Sequence, residues 1–332
     1  MKKGTYHLSR RDALILGASS LAALSAPRIA RAQSKNAGTK LRVAKANPYA
    51  ISFAPLDVGI AKGFFPGFDI EIVNFAGGAK AMQGLIGGAA DIYLGGGTDI
   101  AYEAKGVPIT AVANLAGPPL LLTIIVPYDS PIKTADDLRG KKVYITTVGS
   151  TTDWLVKKLA DVKGWGPNGI TTVALGGELS ALVAALKTHQ VDAAVGTSSV
   201  AFQLEEKKEG RLLIPTSAYV KDFLLHAIFA MNSFIQSDPD AVRAFLKGWF
   251  RSIAFMRANR EETLKIIVPV TQVDAAAEGK EYDLVMPMFS ADGKFDAKSL
   301  DVMAQSFVDL KILDHKPDMA KLVTEKYLPA SA

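Results

Sequence analysis

A strand, a glycine-rich turn, a helix and a second strand follow one another within residues 70–98, and this order constrains the fold most. The first residues of the segment are rich in β-branched side chains, which is typical of a strand, and residues 79–86 carry apolar side chains at helical spacing. Gly77-Gly78 lies between these two elements, and a second predicted strand follows at residues 92–94. Such a turn leaves backbone N–H groups unpaired at a helix N-terminus, which favours an anionic or carbonyl-bearing ligand.

The same order returns in residues 173–199, where Gly176-Gly177 precedes a predicted helix and Gly196-Thr197 follows the next strand. The two segments do not match residue by residue, so they indicate a structural similarity and not a close repeat. A glycine pair can simply permit a tight turn, but two pairs in parallel positions favour a site. The pattern predicts two similar α/β lobes, with a ligand cleft outside the carboxyl ends of the strands.

Predicted strands and helices alternate along the chain, which predicts an α/β fold of two lobes, each a mostly parallel sheet flanked by helices. Apolar strands near residues 120–127 and 226–232 predict two chain crossings, and hence a hinge and a discontinuous first lobe. The predicted domains are residues 41–122 for the first part of lobe 1, 123–228 for lobe 2, and 229–330 for the return to lobe 1 with the C-terminal helices.

Residues 1–32 have the features of a secretory signal peptide: a basic start, an apolar run at residues 13–26 and a small-residue cleavage site that ends at Ala32. Residues 9–14 resemble a twin-arginine export signal, although Ala13 stands where that signal usually has Phe, so the general secretory route stays open. No other stretch approaches the ~18 to 20 apolar residues of a membrane-spanning helix. We expect cleavage after Ala32, export to the periplasm and no membrane insertion.

Composition excludes several classes of protein. The predicted signal peptide holds six of the 38 basic residues and one of the 33 acidic residues, so the mature chain is balanced and nucleic-acid binding has no support. The chain has no cysteine, which excludes a lipoprotein anchor, thiol catalysis and cysteine–zinc sites. His189, His226 and His315 are too scattered to suggest a metal site, so we expect structural histidines, no metal and no cofactor.

Several motifs resemble those of periplasmic substrate-binding proteins of ABC importers, of the nitrate, sulfonate and taurine type. They are FAPL at residues 53–56, AKGFF at 61–65, FAGG at 75–78, AADI at 89–92 and IKTADDLRGKKV at 132–143. The resemblance covers about residues 41–260 and extends to the hydroxymethylpyrimidine synthases of thiamine biosynthesis, which share the fold. It implies a type II periplasmic binding protein, a small-molecule solute, an ABC permease in the inner membrane, a monomeric state and no catalytic residues.

The resemblance also implies ligand-binding positions. Residues after the first strand would form one wall, the first lobe would supply donors from its glycine turns, and the second lobe would supply hydroxyls. The predicted ligand-binding residues are Lys45, Asn47, Tyr49, Phe53, Gly77, Gly78, Thr98, Ser150, Thr151, Thr152 and Thr197. The implied mechanism is hinge closure, in which the two lobes trap the solute.

The charge of the ligand stays open. These segments contain no arginine, and Lys45 is the only convenient cation; a solvated strand-end lysine is an equal alternative. Asp99 and Glu178 lie at predicted helix starts, where they favour the helix dipole or face the amine of a zwitterion such as taurine. Backbone amides and hydroxyls alone can hold a sulfonate, so a small organic anion is the main hypothesis.

Three alternatives remain beside it. The first is an uncharged solute, such as a pyrimidine precursor of thiamine. The second is an enzyme of the pyrimidine synthase kind, which the absence of the synthases' cysteine-rich motif and of a G-x-S-x-G elbow disfavours. The third is a protein that presents its bound solute to a sensor.

Overall fold

The computed structural model describes residues 38–329, so the predicted signal peptide lies outside the described residues. The strands in this range are β1 (Thr39–Lys45), β2 (Phe68–Asn74), β3 (Ile92–Gly96), β4 (Ile109–Ala116), β5 (Leu122–Pro127), β6 (Lys142–Ile145), β7 (Thr171–Ala174), β8 (Ala193–Thr197), β9 (Gly210–Pro215) and β10 (His226–Met231). The α-helices are α1 (Ala54–Ala61), α2 (Gly78–Ile86), α3 (Ile100–Ala104), α4 (Thr151–Val162), α5 (Leu179–Lys187), α6 (Ser198–Glu206), α7 (Asn232–Ser237), α8 (Pro239–Ala258), α9 (Arg260–Thr271), α10 (Ala275–Val285) and α11 (Ala297–Asp309). Within residues 38–329, no helix combines the length and the apolar character that crossing a bilayer requires.

The first sheet has the strand order β2-β1-β3-β10-β4. β1 pairs in parallel with β2 on one side and β3 on the other, so that Val43 lies opposite both Ile72 and Ile92. β10 runs antiparallel between β3 and β4. Four strands therefore point the same way, and their carboxyl ends share one edge of the sheet, which is where ligands of open α/β sheets bind.

The second sheet has the order β7-β6-β8-β5-β9 and repeats this arrangement. β6 pairs in parallel with β7 and β8, and β5 runs antiparallel between β8 and β9. Each lobe thus contains a mixed five-stranded sheet in which four strands are parallel. The prediction of a two-lobed α/β fold with mostly parallel sheets is confirmed.

Two elements of the second lobe were not predicted from the sequence. Helix α6 begins with two serines, which are weak helix formers, and its buried apolar residues are few. Strand β9 starts at Gly210, ends at Pro215 and lies at the edge of its sheet. Neither segment has the periodicity that identifies a helix or a buried strand, so packing against the rest of the lobe determines both structures.

The chain passes from the first sheet to the second between β4 and β5, and it returns between β9 and β10. Two passages of this kind agree with the expected crossings. The predicted domain limits at residues 122/123 and 228/229 fall within β5 and β10, and they stay predictions.

The C-terminal helices connect the two lobes. α8 and α9 pack on α1 of the first lobe, whereas α10 packs on α6 of the second. In addition, Trp154 of α4 stacks on Phe223, with ring centroids 4.5 Å apart, and donates a hydrogen bond of 3.0 Å to Asp309 of α11. These contacts hold the two carboxyl-end edges facing each other.

Candidate ligand-binding site

Four helices begin at the junction between the two sheets: α2 from the first lobe and α4, α5 and α6 from the second. Each follows the carboxyl end of a parallel strand, and for α2 and α5 the strand–turn–helix pattern predicts this arrangement. The first N–H groups of a helix have no partner within the helix, and the helix dipole adds partial positive charge there. This junction therefore carries a concentration of hydrogen-bond donors.

The start of α4 is built from hydroxyl groups. Ser150 is the N-cap residue, and its Oγ accepts a hydrogen bond from the backbone N–H of Asp153. Ser150 Oγ lies 2.9 Å from Thr152 Oγ1, and Thr146 Oγ1 donates to Ser150 Oγ over 3.1 Å. Hydroxyls can turn to donate or accept, so this network can serve a ligand oxygen or a ligand N–H.

The start of α2 is built from glycine. Gly77 has φ +113°, a conformation that side chains other than glycine rarely adopt, and its N–H donates to the carbonyl of Ala46 over 2.8 Å. A Cβ on Gly77 would lie 2.8 Å from Cγ2 of Thr147 in the second lobe. Glycine is therefore required here both by the backbone and by the approach of the opposite lobe.

The two lobes touch directly at this junction. Thr98 Oγ1 of the first lobe lies 3.3 Å from Thr151 Oγ1 of the second, and both side chains are buried. A Cβ on Gly96 would lie 2.8 Å from the same Thr151 oxygen. Nearer the surface, Tyr49 OH donates to Glu178 Oε2 over 3.2 Å.

Two adjoining cavities lie between the lobes, and we call them the polar cavity and the aliphatic cavity. The polar cavity has a volume of about 80 Å³ and is lined by Ala46, Asn47, Ala50, Phe53, Gly77, Gly78, Gly96, Thr98, Asp99, Leu121, Leu122, Thr146, Ser150, Thr151, Thr152, Gly177, Thr197 and His226. The aliphatic cavity has a volume of about 70 Å³ and adds Leu179, Leu182, Val195, Val200 and Val273, together with Tyr49, Tyr144, Glu178, Gly196, Ser199 and Thr271. Their sizes suit a small molecule.

The polar cavity contains one carboxyl group and one imidazole. Asp99 is buried, which raises its pKa to about 6, although hydrogen bonds from Tyr93 OH (2.6 Å) and Gly96 N (3.0 Å) oppose that rise. Burial lowers the pKa of His226 to about 3, so the ring is neutral at physiological pH. Among the lining residues of both cavities in the described chain, none is Lys or Arg.

A second buried acid closes the start of α6. Glu281 of α10 accepts hydrogen bonds from Ser199 N (2.6 Å) and Ser199 Oγ (2.9 Å). Burial and the nearby Glu278 raise the pKa of Glu281 to about 8, and burial raises that of Glu278 to about 7. Neither carboxylate oxygen of Glu278 has a hydrogen-bond partner among the described residues. Burial thus shifts the titration of both carboxyl groups from the acid range toward neutral pH.

Comparison with known proteins assigns this architecture. A family model described as NMT1/THI5 like matches residues 50–263, which is more than half of the chain. The chain belongs to the NMT1/THI5-like family. The resemblance identified from the sequence motifs is therefore confirmed at the level of family and fold. None of the curated proteins compared with the chain matches it.

Solved structures share the fold of this NMT1/THI5-like protein. The alkanesulfonate-binding protein SsuA from Xanthomonas axonopodis pv. citri, bound to MOPS, is 19% identical with a TM-score of 0.75, and the match covers 86% of this chain and 98% of that one. The periplasmic aliphatic sulphonate-binding protein SsuA from Escherichia coli is 20% identical with a TM-score of 0.69, covering 86% and 97%. The periplasmic nitrate-binding protein NrtA from Synechocystis PCC 6803 is 17% identical with a TM-score of 0.68, covering 88% and 87%.

The structure brings most of the predicted site residues of this NMT1/THI5-like protein together. The polar cavity is lined by Asn47, Phe53, Gly77, Gly78, Thr98, Ser150, Thr151, Thr152 and Thr197, and the aliphatic cavity by Tyr49. That these residues bind a ligand stays a prediction.

Lys45 is placed differently from its predicted neighbours. Its Nζ forms an ion pair of 2.5 Å with Asp57 in the first turn of α1, and only 2% of the side chain is exposed. It lines a separate cavity of about 570 Å³, the outer cavity, and neither the polar nor the aliphatic one. The partner carboxylate neutralises this cation, so Lys45 supplies little positive potential to the junction.

The sequence pattern missed several lining residues, His226 above all. His226 is the first residue of β10 and packs against Phe53, with ring centroids 4.8 Å apart. Because β10 is antiparallel, its first residue lies opposite Gly96, at the carboxyl end of β3. The signal that could have identified His226 was the direction of β10. This strand returns to the first lobe and runs antiparallel to its neighbours, so its first residue lies at the cleft.

Proposed function

We propose that this protein is the solute-binding component of an ABC importer and binds a small organic anion in the polar cavity between its lobes. One observation carries the proposal: the N-termini of α2, α4 and α5 and a hydroxyl network converge on a cavity between two facing sheets. The relatives described as binding alkanesulfonates and nitrate in the periplasm support the same role. Residues 1–32 would direct export.

The proposed mechanism is hinge closure. The lobes would open about the two passages between the sheets, admit the solute, and close until Thr98 meets Thr151. The closed form would then be recognised by a permease in the inner membrane. We further propose a binding protein and not an enzyme. The chain has no cysteine nucleophile, and the carboxyl of Glu281 that accepts from Ser199 Oγ has its pKa raised by burial, which disfavours the ionised form that a general base needs.

The oxyanion of the ligand would be held by backbone N–H groups and hydroxyls alone. Helix N-termini bind sulfonate-like or carboxylate groups without a counterion when several donors converge. Ser150, Thr151 and Thr152 supply such donors from α4, and Gly77 with Gly78 opens the start of α2 to close approach. The neighbouring aliphatic cavity would take a short apolar group of the same molecule.

Asp99 favours a second candidate ligand. A carboxylate inside a cavity without Lys or Arg suits an uncharged ring that donates N–H groups, such as a pyrimidine precursor of thiamine. Its pKa of about 6 places the change of charge within an accessible pH range. The two ligand classes therefore differ in how binding depends on pH.

The first experiment is a thermal-shift screen of purified residues 33–332 against nitrate, bicarbonate, taurine, alkane- and arylsulfonates, small carboxylates and pyrimidines. A ligand at one hundred times its Kd adds ~2.7 kcal/mol to the free energy of unfolding, which raises the melting midpoint clearly. A protein purified with bound solute is first unfolded and refolded, and its extract is examined by mass spectrometry. No shift with any anion, and an uncharged compound in the extract, would sink the anion proposal.

Thr151→Trp tests the position of the site. Thr151 is buried between the lobes at the first position of α4, so an indole there would fill the polar cavity and keep the lobes apart. We expect no measurable binding by calorimetry, with far-UV circular dichroism unchanged. Thr188→Trp, on the exposed end of α5, is the matched control and should bind normally. Retained affinity in the Thr151 variant would mean that the ligand binds elsewhere.

Asp99→Asn distinguishes the two ligand classes. For an anion, ionised Asp99 is repulsive, so affinity should fall at least about tenfold as the pH rises from 5 to 8, and the amide variant should lose this dependence. For a ring that donates N–H groups, affinity should rise over the same range, and the variant should bind weakly throughout. Titrations at three pH values measure the difference. The asparagine oxygen can still accept from Tyr93 and Gly96, so the fold is preserved.

A further inference from the structure

The hydrogen bond between Tyr49 and Glu178 lies between the aliphatic cavity and the outer cavity. Both residues line the aliphatic cavity of about 70 Å³ on one side and the outer cavity of about 570 Å³ on the other. Tyr49 follows β1 of the first lobe, and Glu178 is the N-cap residue of α5 in the second lobe. The bond thus joins the two lobes across the boundary between an inner and an outer space.

Neither the Tyr49 side chain nor the Glu178 side chain is needed to stabilise the loop or helix that carries it. Glu178 makes no side-chain hydrogen bond to the start of α5, so its carboxylate is available to the opposite lobe. Tyr49 is half-buried, and its backbone N–H is held by Asn47 Oδ1 over 3.0 Å, which fixes the loop that carries the ring. The pair joins a side chain of the first lobe to one of the second, so the contact can open and re-form as the lobes move.

The end of α9 completes the same boundary. Thr271 and Val273 line the aliphatic cavity, while Val270 and Gln272 line the outer cavity. Gln272 has φ +60°, which turns the chain sharply at the helix end. The wall between the two cavities is therefore formed by the start of α5, the end of α9 and the Tyr49–Glu178 contact, and that contact is the hydrogen bond in it that joins the two lobes.

We propose that the Tyr49–Glu178 pair is a gate that sets the greatest length of solute the closed protein accepts. This inference rests on the proposed solute-binding function and names the residues that determine its specificity. With the gate closed, a bound molecule is limited to the two inner cavities. With the Tyr49 ring removed, its far end can extend into the outer cavity.

The test exploits the absence of cysteine from the chain. Leu182→Cys places one thiol on the wall of the aliphatic cavity, where the native side chain is 5% exposed. The rate of labelling is measured with uncharged methyl, propyl and hexyl methanethiosulfonates. With the native gate, we expect the rate to fall at least tenfold from the methyl to the hexyl reagent. Adding Tyr49→Ala should reduce that fall to less than threefold, and Tyr49→Phe, which keeps the ring, should lie between them.

The controls separate the gate from loosened packing. Val195→Cys, on the same cavity, serves as a second reporter if Leu182→Cys unfolds. Tyr128→Ala removes an exposed tyrosine at a distance from the cavities and should leave the length dependence unchanged. An equal length dependence with and without Tyr49, or none with the native gate, overturns the proposal, because the cavity is then reached by another path.

The reagents carry no charge and need no anion site, so this result is independent of the ligand class. Labelling that follows the expected pattern, while no sulfonate or pyrimidine shifts the melting midpoint, would support the gate and reject the proposed ligands. Binding of an alkanesulfonate without any length dependence of labelling would support the proposed ligand class and reject the gate.

Discussion

The two lobes have the same strand order but build their helix starts from different residues. In each sheet the fourth position is taken by an antiparallel strand next to a passage between the sheets, β10 in the first lobe and β5 in the second. At the carboxyl ends, the first lobe meets the second mainly with Gly77 and Gly96. The second lobe meets them with Thr147 and Thr151 and carries the hydroxyl N-caps Ser150 and Thr197, besides its own Gly177. One topology thus supplies two chemically distinct faces.

The difference has a steric meaning, because glycines of one lobe receive threonines of the other. A Cβ on Gly77 would lie 2.8 Å from the methyl carbon of Thr147, and a Cβ on Gly96 would lie 2.8 Å from Thr151 Oγ1. Side chains on both faces would hold the lobes apart. This asymmetry permits close contact between the lobes, and the hydroxyl groups remain at the junction as hydrogen-bonding groups.

The lobes also differ in how they supply an acid to equivalent turns. After β3, Asp99 reaches back within its own turn to Gly96 N, whereas after β8 the acid that accepts from Ser199 is Glu281, from α10. The first arrangement is local. The second depends on the packing of α10 against α6, so it couples the C-terminal helices to the second face.

Among substitutions that test this asymmetry, the largest effect is expected from Gly96→Ala, which removes it at one position. Gly96 has φ −69°, so alanine is compatible with the backbone and the cost arises only from contact with Thr151. Overpacking of this kind costs about 1–3 kcal/mol, which corresponds to a loss of affinity of about 5- to 150-fold. Calorimetric titration with the ligand from the screen measures it.

A second substitution shows whether the opposite lobe is responsible. Thr151→Ala added to Gly96→Ala should restore most of the lost affinity, since the opposing side chain is then shortened. Gly87→Ala, at the far end of α2 with φ −77°, is the matched control and should bind as the parent does. Additive losses in the double variant would show that the two positions do not meet in the bound form.

A smaller effect, on stability, is expected from Glu278→Gln. An ordinary glutamate titrates near 4.5 and Glu278 near 7, so between these values the folded chain binds more protons than the unfolded chain. The free energy of unfolding therefore falls as the pH rises through this window. A neutral amide at this position removes that pH-dependent loss of stability. At pH 8 we expect the free energy of unfolding to increase by about 1 kcal/mol or more, with little change at pH 4.5. Melting midpoints measured from pH 4.5 to 8 test the expectation.

The control for this variant is Glu206→Gln, which removes an exposed carboxylate of α6 that pairs with Lys280. Exposed pairs contribute little, so its pH profile should follow the parent. If the Glu278 variant shows the same profile as the parent, the Glu278 carboxyl does not titrate in this range.

The sequence predicted the arrangement of the site better than its electrostatics. Strand–turn–helix periodicity located the starts of α2 and α5 because glycine pairs mark them locally. Such features depend on residues a few positions apart.

The features of the site that the sequence did not predict depend on contacts between residues that are far apart in the sequence. The partner of Lys45, Asp57, lies on α1 and turns a candidate cation into a buried ion pair, which no local pattern indicates. His226 reaches the cavity only because β10 is antiparallel, and Glu281 reaches α6 across 82 positions of sequence. Electrostatics at this junction is set by tertiary packing, which periodicity does not encode.

The smallest effect is expected from Thr98→Val, which removes one hydroxyl from the contact with Thr151. An oxygen–oxygen distance of 3.3 Å is long for such a bond, so its contribution should lie near the lower end of the usual 0.5–1.5 kcal/mol. We expect a two- to fourfold loss of affinity, measured beside Gly96→Ala in the same titration. Should the two losses be equal, the hydroxyl pair and not the space above glycine would hold the lobes together. The glycine–threonine asymmetry would then matter for folding of the turns alone, and affinity would be controlled by hydrogen bonding at the start of α4.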